Sequence, residues 1–411
     1  MTSPSPPRIA IVGGGPAGLT LGALLDKYNI PFAIFERHQK PTSQDKAQPS
    51  GMLDLHPESG LAALQECDLM EQFNQLSGEC AEAQKVADWD GNIVYTDQGE
   101  QSERPEISRN DLTGLLSSRV PDTSIKWGHK LLSATTSSGD GGIILDFGPH
   151  GKQTFDFVVG ADGAWSPVRR FLLTDIVKPF YSGTHIITTT IREHLTTKYP
   201  DLAEYVGSGS FTCLGLQNGV MAQRGPHESL RLYTVFTTSD QDFAGTTGLA
   251  NQTPAVAKNR LLADDVLLGR CGPIIKHLVS VTYDEESSAN PHSSLDIKPL
   301  YMLPIGFSWE HQPNATIIGD AAHLMCPWAG EGVNLAMWDA LLLAQVIVKA
   351  YHGQKALDPL IKVFEEDLVA RNKEKAEETY SNGQLFYGRP DGAKAMTEFF
   401  AAVYQNMPDG A

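Results

Sequence analysis

Cysteine is scarce in this chain and supplies no metal or disulfide framework. The 411 residues include no C-x-x-C pair and only five scattered cysteines, Cys67, Cys80, Cys213, Cys271 and Cys326. An odd, scattered set does not build a disulfide framework or a zinc site, and it suits a reducing compartment. We therefore expect no metal and a cytoplasmic location.

Positive charge is also in deficit. Lysine and arginine number 32 against 49 aspartates and glutamates, a formal net charge of −17. This balance argues against a nucleic-acid partner and against binding to anionic membranes. The hydrophobic content of 41% is ordinary for a soluble globular protein.

Long uninterrupted apolar runs and internal repeats are missing as well. The N-terminal arm MTSPSPPR has no basic segment, and glycines break the apolar run that follows, so we expect no signal peptide. The longest late apolar stretch, residues 335–348, contains Asp339 and is too short to span a bilayer. We therefore expect no membrane partner, and the length of the chain suits two or three domains.

The sequence that is present opens with a phosphate-binding pattern. An apolar run over residues 9–12 predicts a strand, and a helical pattern starts at Pro16. Gly13 and Gly15 lie between the strand and the helix, and Gly18 lies just inside the helix, so the three glycines are spaced as G-x-G-x-x-G. These glycines allow a tight turn, approach of a pyrophosphate and close packing of the helix, whose dipole favours the phosphate. Glu36 ends the second strand about 20 residues later, where a carboxylate binds a ribose. The pattern predicts an adenine dinucleotide.

Two later strand ends carry an aspartate beside a glycine. Asp162 and Asp320 both follow apolar strands, so we expect both at the carboxyl edge of a sheet, where they can bond ribose or ribityl hydroxyls. The loop PWAGEG then opens a long helix near Gly332, whose N-terminus would stabilise a reduced, anionic flavin. A ligand that reaches from Gly13 to Gly332 is long, as FAD is.

Arg109 occupies an unusual position. The run SRNDL predicts a helix from Ser108 to Val120 with Ser108 as its N-cap and Asp111 in a capping box. Arg109 then lies in the first turn, where the helix dipole disfavours a cation. Either an anionic ligand or an ordinary surface salt bridge explains it.

The pattern changes over the middle of the chain. Residues 181–301 alternate as strands do, with one helix at about 259–268, and helices return at about 332–351, 359–380 and 392–404. We predict an α/β protein in three parts. They are a discontinuous cofactor domain (1–180 and 302–352), an inserted substrate-binding β-sheet domain (181–301) and C-terminal helices (353–411).

In this order, GGGPAG, GADGAWSPVR and GDAAHLMCPWAGEGVN resemble class A FAD-dependent monooxygenases, which have the p-hydroxybenzoate hydroxylase fold. The stretches ERHQ, GMLDLHPESG and SRNDL are similar to tetracycline-inactivating flavin monooxygenases and related secondary-metabolism monooxygenases. The resemblance implies a Rossmann-like FAD-binding domain, an inserted mixed β-sheet and C-terminal helices. It also implies a set of FAD-binding residues: Gly13, Gly15, Ala17, Gly18, Glu36, Arg37, Asp54, Arg109, Asp162, Asp320, Gly330, Gly332, Val333 and Asn334.

The chain departs from the tetracycline-inactivating enzymes at several positions. Ala47 replaces an arginine associated with NADPH, Thr188 a glutamine, Arg231 a histidine and Trp328 a phenylalanine. These differences argue against tetracycline itself as the substrate, although a tetracycline-like molecule stays within the class. None of these positions belongs to the FAD-binding set, so the expectation of flavin chemistry is unchanged.

The resemblance implies a reaction cycle on an aromatic or polyketide-like small molecule. NADPH or NADH, which has no second fingerprint of its own here, reduces FAD and leaves; O₂ then gives a flavin C4a-hydroperoxide that hydroxylates, epoxidises or inserts oxygen. Candidate catalytic residues are His323, Trp328 and Arg231. Candidate substrate residues are Thr188, Thr190, Phe211, Met221, Arg224, Arg231, Tyr233, Pro327 and Trp328. A one-residue register slip would invert the sheet part of that set.

Other functions share parts of this pattern. A flavin oxidase or dehydrogenase would use the same fold, and a non-enzymatic carrier like the GTPase dissociation inhibitors would keep the domain without needing PWAGEG or Asp320. A halogenase is disfavoured because the W-x-W-x-I-P run is absent. We expect a monomer or a weak homodimer.

Overall fold

The computed structural model describes residues 8–77, 81–99, 104–138, 141–173, 177–353 and 355–405. Its strands are β1 Ile9–Val12, β2 Phe32–Glu36, β3 Met52–Asp54, β4 Gln84–Ala87, β5 Ile93–Asp97, β6 Glu106–Ser108, β7 Ile125–Trp127, β8 Ser133–Thr136, β9 Ile143–Asp146, β10 Lys152–Phe155, β11 Phe157–Gly160, β12 Phe180–Ile191, β13 Ser210–Gly215, β14 Asn218–Gly225, β15 Ser229–Thr237, β16 Asp296–Met302 and β17 Ala315–Ile317. Its helices are α1 Pro16–Lys27, α2 Ser43–Lys46, α3 Ala62–Glu66, α4 Met70–Leu76, α5 Arg109–Ser118, α6 Pro167–Leu172, α7 Leu195–Lys198, α8 Pro200–Val206, α9 Phe243–Thr246, α10 Pro254–Ala263, α11 Pro273–Ala289, α12 Asp320–His323, α13 Gly332–Gly353, α14 Leu357–Phe386 and α15 Gly392–Gln405.

A five-stranded parallel sheet carries the N-terminal motif. Its order is β17-β11-β1-β2-β7. Strands β1 and β11 are buried along their whole length, as expected for central parallel strands covered on both faces. The loops after β1, β11 and β17 therefore meet at one edge, as the sequence predicts. The Rossmann-like α/β expectation is confirmed.

A second, seven-stranded mixed sheet, called the large sheet below, has the strand order β16-β12-β15-β14-β13-β4-β5. Helices α10 and α11 pack on one side, the back face, in a core with Ile187, Phe211 and Val220. The opposite side, the front face, carries Met221 and Val235 and packs against the end of α14 and α15.

The structure differs from the expected sheet boundary at residue 181. β4 and β5 come from residues 84–97, which we assigned to the cofactor domain, yet β4 pairs parallel to β13. Nothing local in a hairpin reveals a partner strand more than a hundred residues away. The proposed residue ranges of the three parts stay a prediction, with this segment reassigned to the large sheet.

A second helix was missed on the back face. The sequence predicts one helix near 259–268, whereas α10 spans Pro254–Ala263 and α11 spans Pro273–Ala289. The buried positions of α11 recur at helical spacing and cover the sheet: Ile275, Leu278, Val279, Thr282 and Tyr283. Its β-branched residues imitate a strand, which explains the error.

Helix α13 explains the late apolar stretch. It runs for 22 residues and is the one helix among the described residues that has the length and apolarity of a membrane span. The apolar segment is therefore longer than the stretch 335–348, and our argument that it is too short to span a bilayer was wrong. Leu335, Met337 and Leu343 are buried in the core that α13 shares with α1 and the parallel sheet, so packing accounts for its composition.

The cysteines Cys67, Cys213, Cys271 and Cys326 are buried free thiols. Cys80 lies outside the described residues.

Candidate flavin and substrate site

The glycine turn after β1 contains two kinds of glycine. Gly13 has φ +112°, and a Cβ there would lie 2.1 Å from the Ala161 carbonyl oxygen, while a Cβ at Gly18 would lie 2.0 Å from that of Gly13. A Cβ at Gly15 would meet no atom within 4 Å. Packing therefore requires Gly13 and Gly18, whereas Gly15 borders open space in front of the α1 N-terminus, where a pyrophosphate fits.

Glu36 is held at the end of β2 beside this turn. Its Oε2 accepts a hydrogen bond from the Gly14 amide at 2.7 Å, and its Oε1 accepts one from the His38 amide at 2.8 Å. The next residue, Arg37, is exposed. The predicted ribose-binding carboxylate thus stands next to the predicted phosphate site.

Asp162 lies on the loop after β11. Its Oδ2 accepts from the Val168 amide at 3.1 Å, but its buried Oδ1 has no hydrogen-bond partner among the described residues. Burial raises the pKa of this carboxyl above its ordinary value. An unpartnered buried oxygen calls for a ligand or water.

Arg169 was not predicted and joins the two aspartate loops. This guanidinium is almost fully buried and donates to the Ala321 carbonyl at 2.9 Å and to the Ala164 carbonyl at 2.6 Å. It thereby fixes the start of α12, where Asp320 is exposed at the same sheet edge. The arginine pair in SPVRR was the available signal, but its partners are distant in sequence.

The PWAGEG loop is joined to the Asp54 segment by Asn334. The Asn334 Oδ1 accepts from the His56 amide at 2.9 Å, and its Nδ2 donates to the Asp54 carbonyl at 2.9 Å and the Gly330 carbonyl at 3.1 Å. Gly330 has φ +68°, and a Cβ there would lie 3.0 Å from the Asp54 carboxylate. Gly332 borders open space at the start of α13. The structure therefore brings Asp54, Gly330, Gly332 and Asn334 together, and Val333 packs against the adjoining core.

Behind this loop lies a buried polar chain that sequence reasoning missed. The fully buried His56 places Nε2 3.0 Å from the Asp54 carboxylate and Nδ1 3.6 Å from Glu331. Glu331 is 7% exposed and contacts Lys375 on α14 at 2.5 Å. Burial alone would lower the pKa of Lys375, but the hydrogen bonds and negative charges of Glu331 and Glu378 together outweigh it and raise the lysine pKa. The PWAGEG loop is thus tied to α14.

The front face of the large sheet presents a row of predicted substrate residues. Cross-strand pairing aligns Thr188 with Tyr233, and Tyr233 with Met221. Arg231 pairs with Thr190 two positions further along the same face. Burial raises the pKa of Tyr233, while the charges of Arg231 and Arg109 oppose the shift. Arg109, which is exposed at the start of α5, therefore acts on this face from the cofactor side.

Two predicted substrate residues lie on the wrong face. Phe211 packs in the back core and against the ring of Tyr205. Arg224 reaches Thr196 of α7 at 3.4 Å. Phe211 is one residue from Thr212, and Arg224 is three residues from Met221, the partner of Thr212. An odd offset along a strand places a side chain on the opposite side of the sheet. Their assignment to the substrate site is corrected.

The end of α14 closes the front face. The Trp328 ring packs against Tyr387 in a tilted arrangement, with centroids 4.4 Å apart and an angle of 37° between the ring planes. The Tyr387 hydroxyl donates to the Met221 sulfur at 2.7 Å. Pro327 accepts a turn hydrogen bond from the Gly330 amide at 3.3 Å. Burial raises the pKa of Tyr387 far above its ordinary value, so it stays a neutral donor. Tyr387 was missed because it lies far from any motif.

His323 is placed differently from Trp328. Its Nε2 lies 2.6 Å from the Asp339 carboxylate on α13, and the ring is buried. Asp339 also accepts from the Gly319 amide at 3.1 Å. These contacts position the loop before α12 and do not join His323 to the front face. Its role as a catalytic residue stays a prediction.

Comparison with known proteins agrees with this geometry. A family model described as an FAD binding domain matches residues 7–264 and 310–377. Monooxygenase penA of Penicillium thymicola is 34% identical over 94% of this chain and 97% of its own length. Monooxygenase asqM of Emericella nidulans is 32% identical, over 96% and 98% respectively.

Solved structures share the fold at lower identity. Klebsiella pneumoniae HpxO, complexed with FAD and uric acid, has a TM-score of 0.75 and 14% identity over 97% of this chain and 93% of its own. The tetracycline destructase Tet(55) has a TM-score of 0.71 and 18% identity over 98% and 96%.

The fold and the site therefore define a class A flavin monooxygenase, with an FAD-binding α/β domain, a mixed β-sheet and C-terminal helices. The chain belongs to the FAD binding domain family and is an FAD-dependent oxidoreductase of the monooxygenase type.

Proposed function

We propose that this protein uses NADPH or NADH and O₂ to hydroxylate, epoxidise or insert oxygen into an aromatic or polyketide-like small molecule. The proposal rests on three positions along the cofactor domain. Gly15 and Gly332 border open space, and between them the buried Oδ1 of Asp162 lacks a hydrogen-bond partner among the described residues. These positions suit a ligand as long as FAD. The front face of the large sheet supplies a separate surface for the substrate.

The residues present fit FAD. The open space at Gly15 would take the pyrophosphate, Glu36 the ribose, and Asp320 the ribityl chain. The isoalloxazine would lie against Gly330, Gly332 and Asn334. When bound, FAD supplies the redox chemistry, accepting hydride from the nicotinamide and passing electrons to O₂, one atom of which goes to the substrate.

The chain itself contributes orientation and exclusion of water. The α13 N-terminus would favour negative charge on the flavin. Trp328 and Tyr387 close one end of the front face, and Thr188, Met221 and Tyr233 line it. A surface that combines aromatic and apolar side chains with a few polar groups is the usual form of a small-molecule site.

The departures at Thr188, Arg231 and Trp328 favour a substrate other than tetracycline, despite the fold shared with Tet(55). We place the enzyme in the cytoplasm as a monomer or weak homodimer, which fractionation and light scattering would test. A flavin oxidase or dehydrogenase is the alternative within this fold.

The test is a spectroscopic titration of the purified protein. We expect bound FAD, bleaching by NADPH or NADH without oxygen, and recovery of the colour when O₂ is admitted. Substrate-dependent NAD(P)H oxidation across a library of aromatic metabolites should yield an oxygenated product. Protein that takes up no FAD contradicts the proposal, and peroxide as the sole product with every compound favours an oxidase.

A further inference from the structure

A polar cavity of about 220 Å³ lies at the edge of the large sheet. Thr188, Thr190 and Arg231 of the front face line one side of it, and the loop at Gln48 and Pro49 lines another. Its remaining walls come from Arg192, the ends of α10 and α11, and the start of β16. The cavity is therefore continuous with the proposed substrate surface but extends beyond the residues predicted to bind substrate.

Two guanidinium groups in this cavity have unused hydrogen-bond donors. The printed hydrogen bonds of Arg231 are long, from Nη1 to the Pro49 carbonyl at 3.3 Å and to the Thr190 hydroxyl at 3.4 Å, and its guanidinium carbon lies 5.8 Å from the centre of the Tyr233 ring. Its buried Nε has no acceptor among the described residues, and neither has the buried Nη1 of Arg192. A buried donor without an acceptor is unfavourable, so two of them around one cavity indicate a missing acceptor.

The carboxylates of the cavity do not supply that acceptor. Glu286 is committed to Arg192 Nη2 at 3.3 Å, to the Thr190 amide at 3.1 Å and to Asn290 at 2.5 Å. Asp296 is paired with Lys298 at 2.8 Å. The four charged residues of the lining, two arginines and two carboxylates, balance formally. Arg231 nevertheless has no ion-pair partner among the described residues, so no carboxylate contacts its guanidinium directly.

We propose that this cavity binds an anionic oxygen group, a carboxylate or a phosphate, between Arg231 and Arg192. A planar guanidinium matches the two oxygens of such a group. The inference rests on the proposed function, which it sharpens: an acid group anchored beside Thr188 and Thr190 would leave the rest of the molecule along Tyr233 and Met221. Those two residues are on neighbouring strands, about 5 Å apart, and lead towards Trp328.

The test is calorimetric titration of the FAD-loaded full chain with three probes. Salicylate carries a carboxylate, salicylamide is its neutral counterpart, and adenosine 2′-phosphate carries the phosphate that distinguishes NADPH from NADH. Each probe is titrated into the wild type, Arg231→Gln, Arg192→Gln and the control Arg389→Gln, whose guanidinium pairs with Asp391 outside the cavity. Flavin absorbance and circular dichroism establish first that every variant is folded and loaded.

We expect salicylate to bind at least about tenfold more weakly to Arg231→Gln and Arg192→Gln than to the wild type, since a lost charge-assisted bond has about that effect. Salicylamide binding should be weak in all four proteins, and Arg389→Gln should match the wild type. If adenosine 2′-phosphate shows the arginine dependence instead, the anion comes from the nicotinamide co-substrate.

Two results would overturn the inference: no binding of either anion to the FAD-loaded wild type, or anion affinities that are the same in all four proteins. A wild-type protein that takes up no FAD contradicts the proposed function instead, so the two failures are distinguishable.

Discussion

Gly15 and Gly18 belong to the same motif, Gly15 as the N-cap of α1 and Gly18 within its first turn, but the structure requires them for different reasons. A Cβ at Gly18 would overlap the Gly13 backbone, whereas a Cβ at Gly15 enters only the space assigned to the pyrophosphate. Gly15 has φ −82° and ψ −176°, which other residues adopt readily. The two positions therefore separate folding from cofactor binding.

We predict that Gly15→Val lowers the free energy of unfolding of FAD-free protein by about 1 kcal/mol or less, the cost of a poorer N-cap. FAD affinity should fall at least about tenfold. Gly18→Ala should cost about 3 kcal/mol, the upper range for overpacking, because backbone cannot yield. Urea unfolding and FAD titration measure both. A strongly destabilised Gly15→Val, or a Gly15→Val that binds FAD normally, would contradict the assignment.

Individual residues also show which parts of the candidate site could be predicted from the sequence. Glu36 lies beside the glycine turn as expected, because both belong to one short motif whose spacing has a physical reason. Asp54 and Asn334 also lie together, but only the resemblance to a known family had implied a role for them. The substrate face does not follow, because β13 is buried on both sides from Phe211 onwards. Without a polar and an apolar side, alternation does not say whether Phe211 or Thr212 faces the substrate.

At the scale of elements, strand and helix ends were predicted well where glycine, proline or a cap marks them. Strands β1 and β2 and the start of α1 match, and Ser108 caps α5 by accepting from the Asp111 amide at 3.1 Å. Helix α11 was missed although Gly272 and Pro273 mark its start, and α14 extends six residues beyond Tyr380 through Asn382 and Gly383, which are typical of a turn. Their boundaries are set by contacts with the large sheet, which are remote in sequence.

The loop before β17 is tied to α14 by an ion pair with a defined pH dependence. His311 Nδ1 lies 2.7 Å from Glu365, whose other oxygen accepts from Thr316 of β17 at 2.7 Å. Burial alone would lower the pKa of His311, but Glu365 and Asp358 outweigh it and raise the pKa above its ordinary value. The stabilisation is therefore complete below about pH 6.5 and is lost as pH rises through the higher folded pKa.

We predict that His311→Gln destabilises the protein by about 1.5–3 kcal/mol at pH 6 and by clearly less at pH 9, as measured by urea unfolding at both values. Thr316→Val is the matched control, since it removes the other contact of Glu365 without removing a basic group. Its effect should change little with pH. A His311→Gln penalty that is equal or greater at pH 9 would refute the raised pKa.

At the scale of the whole molecule, α14 connects the large sheet to the PWAGEG loop (residues 327–332), which is called the flavin loop below. Thr379 donates to the Cys326 carbonyl at 2.7 Å, Asn382 to the Trp328 carbonyl at 3.3 Å, and Tyr387 packs against Trp328. A Cβ at Gly219 of β14 would lie 2.6 Å from the Tyr387 ring. The order of the motifs predicts that the chain has a cofactor domain, a β-sheet domain and C-terminal helices. Only these contacts show that one C-terminal helix joins the first two.

The Glu331–Lys375 pair is the charged member of this connection. Lys375→Met would leave the buried Glu331 carboxylate without its cation, which is more costly than the loss of an exposed pair. Because Lys375 is one-third exposed, we predict a loss of about 2 kcal/mol in unfolding free energy, below the value for a fully buried pair. FAD affinity should also fall, because the loop that carries Gly330 and Gly332 loses its anchor.

A double-mutant cycle separates the pair from the individual side chains. Glu331→Gln combined with Lys375→Met should recover most of the stability lost in Lys375→Met, since no buried charge is then unpaired. Lys373→Met is the control, because its pair with Glu377 is exposed and long at 3.9 Å, and it should change stability by less than about 0.5 kcal/mol. If the losses in the two single variants simply add in the double variant, the pair does not couple α14 to the flavin loop, and the helix acts through its apolar and carbonyl contacts alone.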